Sequence, residues 1–510
     1  MANYYIDPTG DGGVGSLGDP DVAFPATPVS NTEYDIKAGT SLNVGSGKLF
    51  SAKSNIIISD YGTGAKPVIT GTAGANIRLT SASNNDHFTV SDVVIDGSAS
   101  TQTLVYINST GIGHYFDNVD FVGNADPSTT APLVNFGQNK LETLSVSSCT
   151  FTNHDRTITW LYTGAGTVTS TGVLIDGCTF TNTYGDPIKL TVEAPTRETS
   201  TINNITISNN KFDTCAGFAM VRNGYALEDA RIWGTGIVVS DNVFINSANN
   251  PYIASGQGAS VSLTGTDGAI ISGNYLYNCW SQGALIQTGD NKNLIIENNY
   301  CEHSVTNAFN DADGLGIFDD RINTGSIVRY NTVVDCPGYG RVNPAPADNY
   351  GGGIGFWKAN NARHYCNVVK DSAKGWTYGS VEEHGNKVYN NTLIDNATAG
   401  LYRYGSAALA GALLFKNNLI IGSAAVQAGG TASSTLTTNL SYATTALAGL
   451  VVDGVGLPIG LAPGSPCIGA GTDLDQYTVS KNGYPYYSPP SVGAHEVPRI
   501  FDMFSAGWMG

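Results

Sequence analysis

Short runs of alternating apolar and polar residues recur along the middle of the chain. Segments such as NITISNN, GIVVSDN and LLFKNN each contain an apolar or β-branched strand followed by an asparagine, and a second short strand comes next. The alternation has a period of two residues, which predicts β-strands and disfavours a helical solenoid. A propeller is also disfavoured, because its blades would need about 40–45 residues each and hairpin turns that are absent here.

Asparagine occupies one fixed position of this repeat eight times. Variable spacing around a constant local pattern predicts a core coil with loops of different length. We expect each asparagine to adopt the left-handed conformation of a tight bend, and its amide to join a ladder between coils about 4.8 Å apart. The asparagines are Asn210, Asn242, Asn274, Asn299, Asn331, Asn367, Asn391 and Asn418.

Two further columns accompany the asparagines. The residue two positions after each asparagine is apolar and is predicted to fill the interior. The residue five positions after each asparagine is small or polar. The apolar column is Phe121, Phe151, Phe180, Phe212, Phe244, Leu276, Cys301, Val333, Val369, Leu393 and Ile420. The small or polar column is Cys215, Ser247, Cys279, Ser304, Cys336, Ser372, Asn396 and Ser423.

These columns predict an all-β fold, a single-stranded right-handed parallel β-helix with loop insertions and a short C-terminal tail. We assign 1–75 to an N-terminal cap and first coils, 76–425 to the central helix, and 426–497 to the final coils and closing segment. Residues 498–510 form an apolar tail without periodicity. Because a terminal coil needs a polar cap, this tail is expected either to cover the end of the helix or to pack on another subunit.

The charge and the cysteine content of the chain exclude some classes of partner and site. The chain has 25 Lys plus Arg against 42 Asp plus Glu, a formal charge of −17 that disfavours nucleic acid or an anionic membrane as a partner. No segment reads as a secretory signal or a membrane span, so we expect synthesis in a cytoplasm without membrane insertion. The eight cysteines lack a CxxC motif and are predicted to be reduced core residues, with a Cys149–Cys178 pairing left open.

The two ends of the chain carry a family resemblance. YYIDPTG and IIISDYGTGAKPVITG resemble the opening coils of pectin-lyase-like β-helix proteins, and SPCIGAG with SVGAHE resembles their closing coil. That scaffold hosts lyases, hydrolases, epimerases and phage tailspikes. The long helix, the missing signal and the apolar terminus most resemble bacteriophage tailspikes. This resemblance implies a homotrimer in the virion tail, made in the host cytoplasm and released by lysis, that binds bacterial O-antigen or capsule.

Charged and aromatic residues gather in and after the longest insertions, 216–235, 305–325 and 337–361. Alignment of GALIQT, GLGIFDDR, GGIGFWKA, GWTYGS and GLYRYG predicts that outward positions meet on one face. Glycoside hydrolysis needs two carboxyl groups about 5–9.5 Å apart. The predicted catalytic residues are Asp319, Asp320, Asp313, Glu382 and Glu383, and the predicted substrate-binding residues are Trp357, Lys358, Arg321, Tyr378, Trp376, Tyr402, Arg403, Asp311 and Asp348.

The favoured function is an endo-acting depolymerase that hydrolyses a polysaccharide without a cofactor. A lyase acting by β-elimination is the alternative, with Lys358, Arg321 or Tyr378 as base and Ca²⁺ held by carboxylates of Asp311, Asp313, Asp319 and Asp320. A non-catalytic glycan-binding β-helix is the third possibility. GLGIFDDR resembles the Asp-Asp motif of polygalacturonase-type hydrolases, but their downstream Gly-His-Gly and Arg-Ile-Lys motifs are missing.

Overall fold

The computed structural model is built almost entirely from β-strands. It divides into two compact units, Met1–Gly256 with Ser260–Ala269 (unit 1) and Ile270–Gly510 with Gln257–Ala259 (unit 2). The structure describes residues 1–496 except 11–12, 14, 19–20, 46–47, 51–52, 72–76, 81–86, 101, 109–111, 126–131, 138–139, 155, 163–167, 193–199, 216–218, 224–232, 247–259, 280–283, 305–314, 321–322, 338–351, 379–384, 404–412, 424–425, 429–433, 473–479, 484 and 487–489.

Unit 1 contains three parallel sheets, numbered by the order in which the chain visits them in each coil. A two-stranded parallel pair, Gly234–Thr235 with Thr266–Asp267, lies outside them. Sheet 1 consists of Ala2–Ile6, Thr32–Lys37, Ile56–Tyr61, Phe88–Ser91, Ile112–Asp117, Glu142–Ser147, Thr169–Asp176, Thr201–Ser208 and Ile237–Ser240. Sheet 2 consists of Ser41–Asn43, Val68–Thr70, Val94–Asp96, Asp120–Val122, Thr150–His154, Thr179–Thr183, Lys211–Asp213 and Val243–Ile245. Sheet 3 consists of Lys48–Leu49, Ile77–Thr80, Val105–Asn108, Pro132–Phe136, Arg156–Tyr162, Ile188–Val192, Ala219–Asn223 and Val261–Thr264.

Unit 2 repeats the same three-sheet plan. Sheet 1 consists of Ile270–Ser272, Ile295–Glu297, Ile327–Arg329, Arg363–Tyr365, Lys387–Tyr389, Leu413–Lys416 and Ser434–Thr437. Sheet 2 consists of Tyr275–Tyr277, Tyr300–Glu302, Thr332–Val334, Val368–Lys370, Thr392–Ile394, Leu419–Ile421 and Leu440–Tyr442. Sheet 3 consists of Ala284–Gly289, Leu315–Asp320, Ile354–Trp357, Lys374–Tyr378, Ala399–Arg403 and Val426–Ala428. The predicted fold class, a right-handed parallel β-helix, is confirmed.

The predicted apolar column runs through the interior behind sheet 2. In unit 1 its members pair in register from coil to coil, and their rings stack face to face with centroids 4.4–4.8 Å apart. In unit 2 smaller apolar residues continue the column, also in register and fully buried. The stacked phenylalanines are Phe121, Phe151, Phe180, Phe212 and Phe244.

The asparagine ladder is present as predicted, and all eight members are buried. The Oδ1 of Asn331 accepts hydrogen bonds from the backbone N and the Nδ2 of Asn299, both at 3.0 Å. The Nδ2 of Asn331 donates in turn to Oδ1 of Asn367 (3.0 Å) and to the carbonyl of Ile296 (2.9 Å). Asn439, which the sequence pattern did not include, extends the ladder by accepting from Asn418 in the same way.

The expected backbone role of these asparagines is wrong. None of the eight has a positive φ; the left-handed conformation falls on the residue just before each of them. Asn298 (φ 56°), Tyr330 (φ 59°) and Cys366 (φ 55°) are examples. The bend is therefore made one residue earlier, and the asparagine is required for its side chain, which satisfies backbone groups of two neighbouring coils.

All eight cysteines are buried and free, so the pairing left open for Cys149 and Cys178 does not form. Cys149, Cys178, Cys215, Cys279 and Cys336 line the corners of the coils as small interior residues. This agrees with the prediction of reduced core thiols.

A C-terminal segment follows the last coil of unit 2 and covers the outer face of the last strands of sheet 2. It contains the four-residue helix Thr445–Ala448 and an antiparallel hairpin formed by Leu450–Val452 and Pro458–Leu461. Leu461 and Cys467 from this segment pack on Ile394, Leu419 and Ile421 of the sheet. Across the described ranges, no helix has the length and apolar character that a membrane crossing requires. The boundaries at 75, 425 and 497 stay predictions, and the tail 498–510 lies outside the described residues.

Candidate functional site

Two of the predicted catalytic carboxylates, Asp319 and Asp320, lie at the end of the strand Leu315–Asp320. Leu315, Ile317 and Asp319 are all buried, and Asp319 is 0% exposed. Side chains alternate between the two faces of a strand, so Asp319 shares the interior face with Ile317. The expected outward placement of Asp319 is therefore wrong. Counting the period of two from Ile317 would have found this from the sequence.

Asp319 is the centre of a buried hydrogen-bonded cluster. Its Oδ1 accepts from Nδ2 of Asn323, its Oδ2 accepts from Oγ of Ser326, and Nε2 of His364 lies 3.1 Å from Oδ2. Asn323 also donates to Oγ1 of Thr288 at 3.1 Å. Burying a carboxylate is costly unless hydrogen bonds and a partner compensate for the lost water, and this cluster supplies both.

The cluster joins three elements at the corner between sheets 3 and 1. Asp319 ends a sheet 3 strand, Asn323 and Ser326 follow in the corner, and His364 belongs to the sheet 1 strand Arg363–Tyr365. The backbone N of Asn291, in the preceding coil, donates to Oδ1 of Asn323 at 2.6 Å. The corner that follows Asp320 is therefore fixed from inside the helix.

Two predicted binding residues also lie in the interior. Trp376 is fully buried and pairs in register with Ile354 and Leu401, and Tyr378 is buried and pairs with Phe356. The ring of Trp376 packs beside His364, with ring centroids 5.7 Å apart. The outward placement expected for Trp376 and Tyr378 is wrong for the same reason as for Asp319, because all three lie on the inner face of sheet 3.

The outer face of sheet 3 carries a column in register that includes Phe318, Gly355, Thr377 and Tyr402. Phe318 and Tyr402 are half-buried. A Cβ on Gly355 would lie 2.6 Å from Oγ1 of Thr377, 3.2 Å from Cδ2 of Leu315 and 3.4 Å from the ring of Phe318. Gly355 is buried, and glycine is needed there because these neighbours leave no room for a side chain.

The ring of Tyr402 contacts the ammonium group of Lys374, a residue that was not among the predicted site residues. The Nζ of Lys374 lies 3.8 Å from the centroid of the Tyr402 ring, and Lys374 itself is buried. Such cation–π contacts strengthen when the ammonium is removed from water. The pair fixes the orientation of the Tyr402 ring at this face.

Trp357 and Lys358 lie at the end of the same face. Trp357 is half-buried and pairs in register with Asp320, as the alignment of the strands predicted. Lys358 has a φ of 62°, the left-handed conformation that many corner residues of the described coils adopt. We call Phe318, Trp357, Lys358, Lys374, Thr377 and Tyr402 the sheet 3 face.

Several predicted site residues cannot be placed on this face. Asp311, Asp313, Arg321, Asp348, Glu382 and Glu383 lie outside the described residues, as do the side chains of Asp320 and Arg403. Their roles stay predictions. Within the described part of the chain, no group of three or more His, Cys, Asp or Glu residues is arranged to hold a metal ion. Asp319 already accepts from Asn323 and Ser326 and contacts His364, so it fits a calcium site poorly.

A second group of chemistry-bearing residues lies on the outer face of sheet 2 in unit 2. Tyr275 and Tyr277 are exposed there, and Nδ1 of His303 lies 2.6 Å from Oδ2 of Asp335. Burial, with the nearby carboxylate of Glu302, raises the pKa of Tyr300 to about 12. These residues flank the apolar column of the aligned repeat, but the sequence pattern did not single them out as candidate site residues.

These sheets and their interior columns define a right-handed parallel β-helix. The family model described as a right handed beta helix region matches residues 75–264 and 259–441, and the chain belongs to this family. None of the curated proteins compared with the chain matches it.

Several solved structures are similar to the chain at low sequence identity. The lacto-N-biosidase GH136 from Eubacterium ramulus is 12% identical over 79% of this chain and 64% of its own, with a TM-score of 0.35. The chain thus spans less than two thirds of that enzyme. The alginate lyase AlyF-OU02 is 12% identical over 91% of this chain and 87% of its own (TM-score 0.38). The Dettilon tailspike protein is 13% identical over 84% and 68%, respectively (TM-score 0.33).

Proposed function

We propose that the protein binds and depolymerises a polysaccharide on the sheet 3 face of unit 2. The observation that carries this proposal is the contact of Lys374 Nζ with the ring of the half-buried Tyr402, on an outer face whose end carries the half-buried Trp357. Aromatic rings offer apolar area to the faces of sugar rings, and ammonium groups donate hydrogen bonds to hydroxyls or carboxylates. Lys374 is buried against Tyr402 and orients that ring, whereas the half-buried Lys358, next to Trp357, would favour an acidic polysaccharide.

The reaction we favour is glycoside hydrolysis. One carboxylic acid would donate its proton to the glycosidic oxygen while a second carboxylate activates water or attacks the sugar. Asp320, which pairs in register with Trp357, is the first residue to test, with Asp313, Glu382 or Glu383 as its partner. Asp319 is proposed as a positioning residue, because its buried cluster fixes the corner after Asp320.

Lyase chemistry is the second candidate, favoured by Lys358, which follows Trp357 at the end of the sheet 3 face. In that reaction a base removes the proton next to a uronate carboxylate and the glycosidic oxygen leaves. Lys358 would supply the base, and Ca²⁺ held by the loop carboxylates would neutralise the uronate. The finer context, a homotrimeric bacteriophage tailspike acting on O-antigen or capsule, rests on the sequence resemblance alone.

The test is digestion of a panel of neutral and acidic bacterial surface polysaccharides. We expect new reducing ends from the wild type and a loss of at least 100-fold in rate for Asp320→Asn, on the scale of losing general acid–base catalysis. Asp395→Asn is the matched control, an exposed aspartate on the corner after sheet 2. Ultraviolet-absorbing unsaturated ends would identify a lyase instead.

The outcomes separate the alternatives. A protein that retains polysaccharide on a column and never produces fragments is a binder, and the enzymatic proposal fails. If Trp357→Ala leaves both binding and cleavage unchanged, the sheet 3 face is not the site. Asp319→Asn should lower kcat more than it changes KM, together with a lower melting temperature, as a positioning residue would.

A further inference from the structure

The outer face of sheet 2 in unit 2 carries three neighbouring tyrosines that the proposed site does not use. Tyr275 and Tyr277 occupy the outward positions on either side of the buried Leu276, and Tyr300 pairs in register with Tyr275 in the next coil. The ring of Tyr275 is nearly parallel to the ring of Tyr277, with centroids 6.4 Å apart, and to that of Tyr300, with centroids 5.4 Å apart. The three rings therefore form one patch that spans two coils.

The exposure of this patch is unusual for the chain. Tyr275 is 38% exposed and Tyr277 is 39% exposed. The other tyrosine, phenylalanine and tryptophan side chains that the structure describes are buried or half-buried. Apolar area that stays in contact with water is unfavourable, and an apolar patch with a polar border marks an interaction surface. The two most exposed aromatic rings therefore lie side by side where a ligand could cover both.

Polar groups with fixed positions border the rings. Glu302 pairs in register with Tyr277, and its carboxylate is hydrogen-bonded to Tyr300. The imidazole of His303 lies 6.3 Å from the ring of Tyr277, measured between centroids, and its Nδ1 lies 2.6 Å from Oδ2 of Asp335. Aromatic rings pack on the apolar faces of sugars, and carboxylate and imidazole groups form hydrogen bonds with sugar hydroxyls. We call these residues the tyrosine face: Tyr275, Tyr277, Tyr300, Glu302, His303 and Asp335.

Carboxylates predominate around the tyrosine face. Burial is the main cause that raises the pKa of Tyr300 to about 12, and the carboxylates of Glu302 and of Asp453 in the hairpin turn add to it. The ammonium group of Lys370, in the same outward column as Glu302, lies 2.5 Å from Oδ2 of Asp371. An acidic glycan would meet like charge here, whereas a neutral glycan can donate its hydroxyl hydrogens to the carboxylates. The charge on this face thus favours a neutral glycan, unlike the charge of Lys358 on the sheet 3 face.

We propose that the tyrosine face is a second carbohydrate-binding site, separate from the sheet 3 face, and that it binds a neutral glycan. Sugar rings would cover Tyr275 and Tyr277 with their apolar faces, which removes the exposed aromatic area from water. Their hydroxyls would form hydrogen bonds with Glu302 and with the His303–Asp335 pair at the border. This site is argued from its own residues, so it does not depend on whether the sheet 3 face cleaves a polysaccharide.

The test is binding of the full-length chain to a printed array of bacterial surface polysaccharides with neutral or acidic repeating units. Every variant carries Asp320→Asn, so that cleavage does not interfere, and the Kd for the neutral polysaccharide with the strongest signal is then measured by biolayer interferometry. We expect Tyr275→Ala with Tyr277→Ala to raise this Kd about tenfold or more, as loss of central aromatic contacts does. Trp357→Ala should leave it unchanged, because that residue belongs to the sheet 3 face.

Tyr115→Ala is the matched control, since Tyr115 is a half-buried tyrosine that points outward from sheet 1 of unit 1. It should leave the Kd unchanged. Tyr277→Ala alone keeps the contact between Tyr275 and Tyr300, so it gives a second measurement with less effect on the melting temperature.

Several results would overturn the proposal. One is an array on which no neutral polysaccharide binds, and another is a Kd that responds equally to Tyr277→Ala and to Tyr115→Ala. If Trp357→Ala abolishes the binding of the neutral polysaccharide, the sheet 3 face accounts for it and no second site exists. Self-association that is lost in the Tyr275→Ala, Tyr277→Ala variant would assign the face to a second copy of the chain instead. Absence of cleavage by the wild type would count against the proposed function alone.

Discussion

The earlier coils of unit 1 and the coils of unit 2 stabilise the same corner with different interactions. In unit 1 the interior behind sheet 2 is a stack of phenylalanine rings, 4.4–4.8 Å apart, and the position just before the strand is Val93, Val119, Cys149 or Cys178 in the earlier coils. Asn210 and Asn242 occupy that position in the last two sheet 2 coils of unit 1 and begin the ladder there. In unit 2 that position is always asparagine, and the apolar column shrinks to Leu, Val, Ile and Cys. Apolar packing can replace a hydrogen-bonded ladder at the same place in the fold.

This difference between stacked rings and an asparagine ladder indicates which interactions can be replaced by others. Dispersion and burial are non-directional, so a stacked ring tolerates another apolar residue of similar volume. A ladder asparagine satisfies several buried backbone and amide groups at once, and its loss leaves them without partners. We therefore expect unit 2 to be intolerant at its asparagines and unit 1 to be tolerant at its phenylalanines.

Among the substitutions considered, Asn331→Leu should lower the free energy of unfolding the most. It removes the acceptor of two hydrogen bonds from Asn299 and the donor to Asn367. With each orphaned group worth about 1–3 kcal/mol, we expect a loss of about 3–5 kcal/mol. Native-state hydrogen exchange of peptides covering 295–334 measures the change. Gln287→Leu, a half-buried amide on the outer face of sheet 3, is the control and should stay within about 0.5 kcal/mol.

Low pH should reduce the free energy of unfolding of unit 1, because His154 is protonated more readily in the unfolded chain. Burial lowers the pKa of His154 from 6.5 to about 4, so the folded state binds its proton later than the unfolded state does. Stability is complete above pH 6.5 and falls as the pH drops towards 4, by about 3 kcal/mol.

His154→Gln isolates this contribution. Urea unfolding from pH 7 to pH 4, followed by hydrogen exchange of unit 1 peptides, should show a shallower pH dependence in the variant than in the wild type. Unit 2 peptides should keep their own dependence, since burial also lowers the pKa of His495 to about 3. Equal slopes for variant and wild type in unit 1 would exclude His154 as the acid-sensitive group.

Phe180→Leu should cost less, about 1–2 kcal/mol, because a smaller apolar side chain leaves only a partial gap in the stack. Phe180 lies between Phe151 and Phe212, so its ring loses a neighbour contact on each side. Hydrogen exchange of peptides from Thr179–Thr183 reports the change. A cost equal to that of Asn331→Leu would remove the contrast between the two units.

Lys211→Gln should have the smallest effect, below about 0.5 kcal/mol, because exposed ion pairs contribute little. Lys211 Nζ lies 3.1 Å from Oδ2 of Asp213 on the outside of sheet 2, with nearly half of the lysine side chain exposed. Unfolding in low and high salt checks the result, since screening should erase even this difference. A larger loss would show that the outer face stabilises the coil as much as its interior.

The sequence predicted the fold well because the interior repeats. Each Asn of the ladder meets another Asn one coil away, and each member of the apolar column meets another apolar residue, so the same pattern returns in every aligned segment of the sequence. The conformational role of the asparagines was misjudged, since side chains such as Tyr330 and Cys366 at the preceding position give no hint of a left-handed bend.

The candidate site was less predictable because it does not repeat. Asp319, Trp376 and Tyr378 were predicted to point outward because of their polarity and size, although strand alternation puts them on the same face as Ile317 and Ile354. A buried carboxylate is rare, and only the partners His364, Asn323 and Ser326 make it stable. These partners come from other elements and cannot be recognised without the register.

The hydrogen bonds around the ladder also bear on chemical ageing. Asparagine side chains deamidate when the backbone N of the next residue attacks their amide carbon, and asparagine is among the thermolabile residues. The backbone N of Thr332 instead donates to the carbonyl of Asn299 at 2.9 Å, and that of Val368 donates to the carbonyl of Asn331 at 2.9 Å. With the attacking nitrogen engaged and the amide held, the ladder should outlast the exposed asparagines of the same chain.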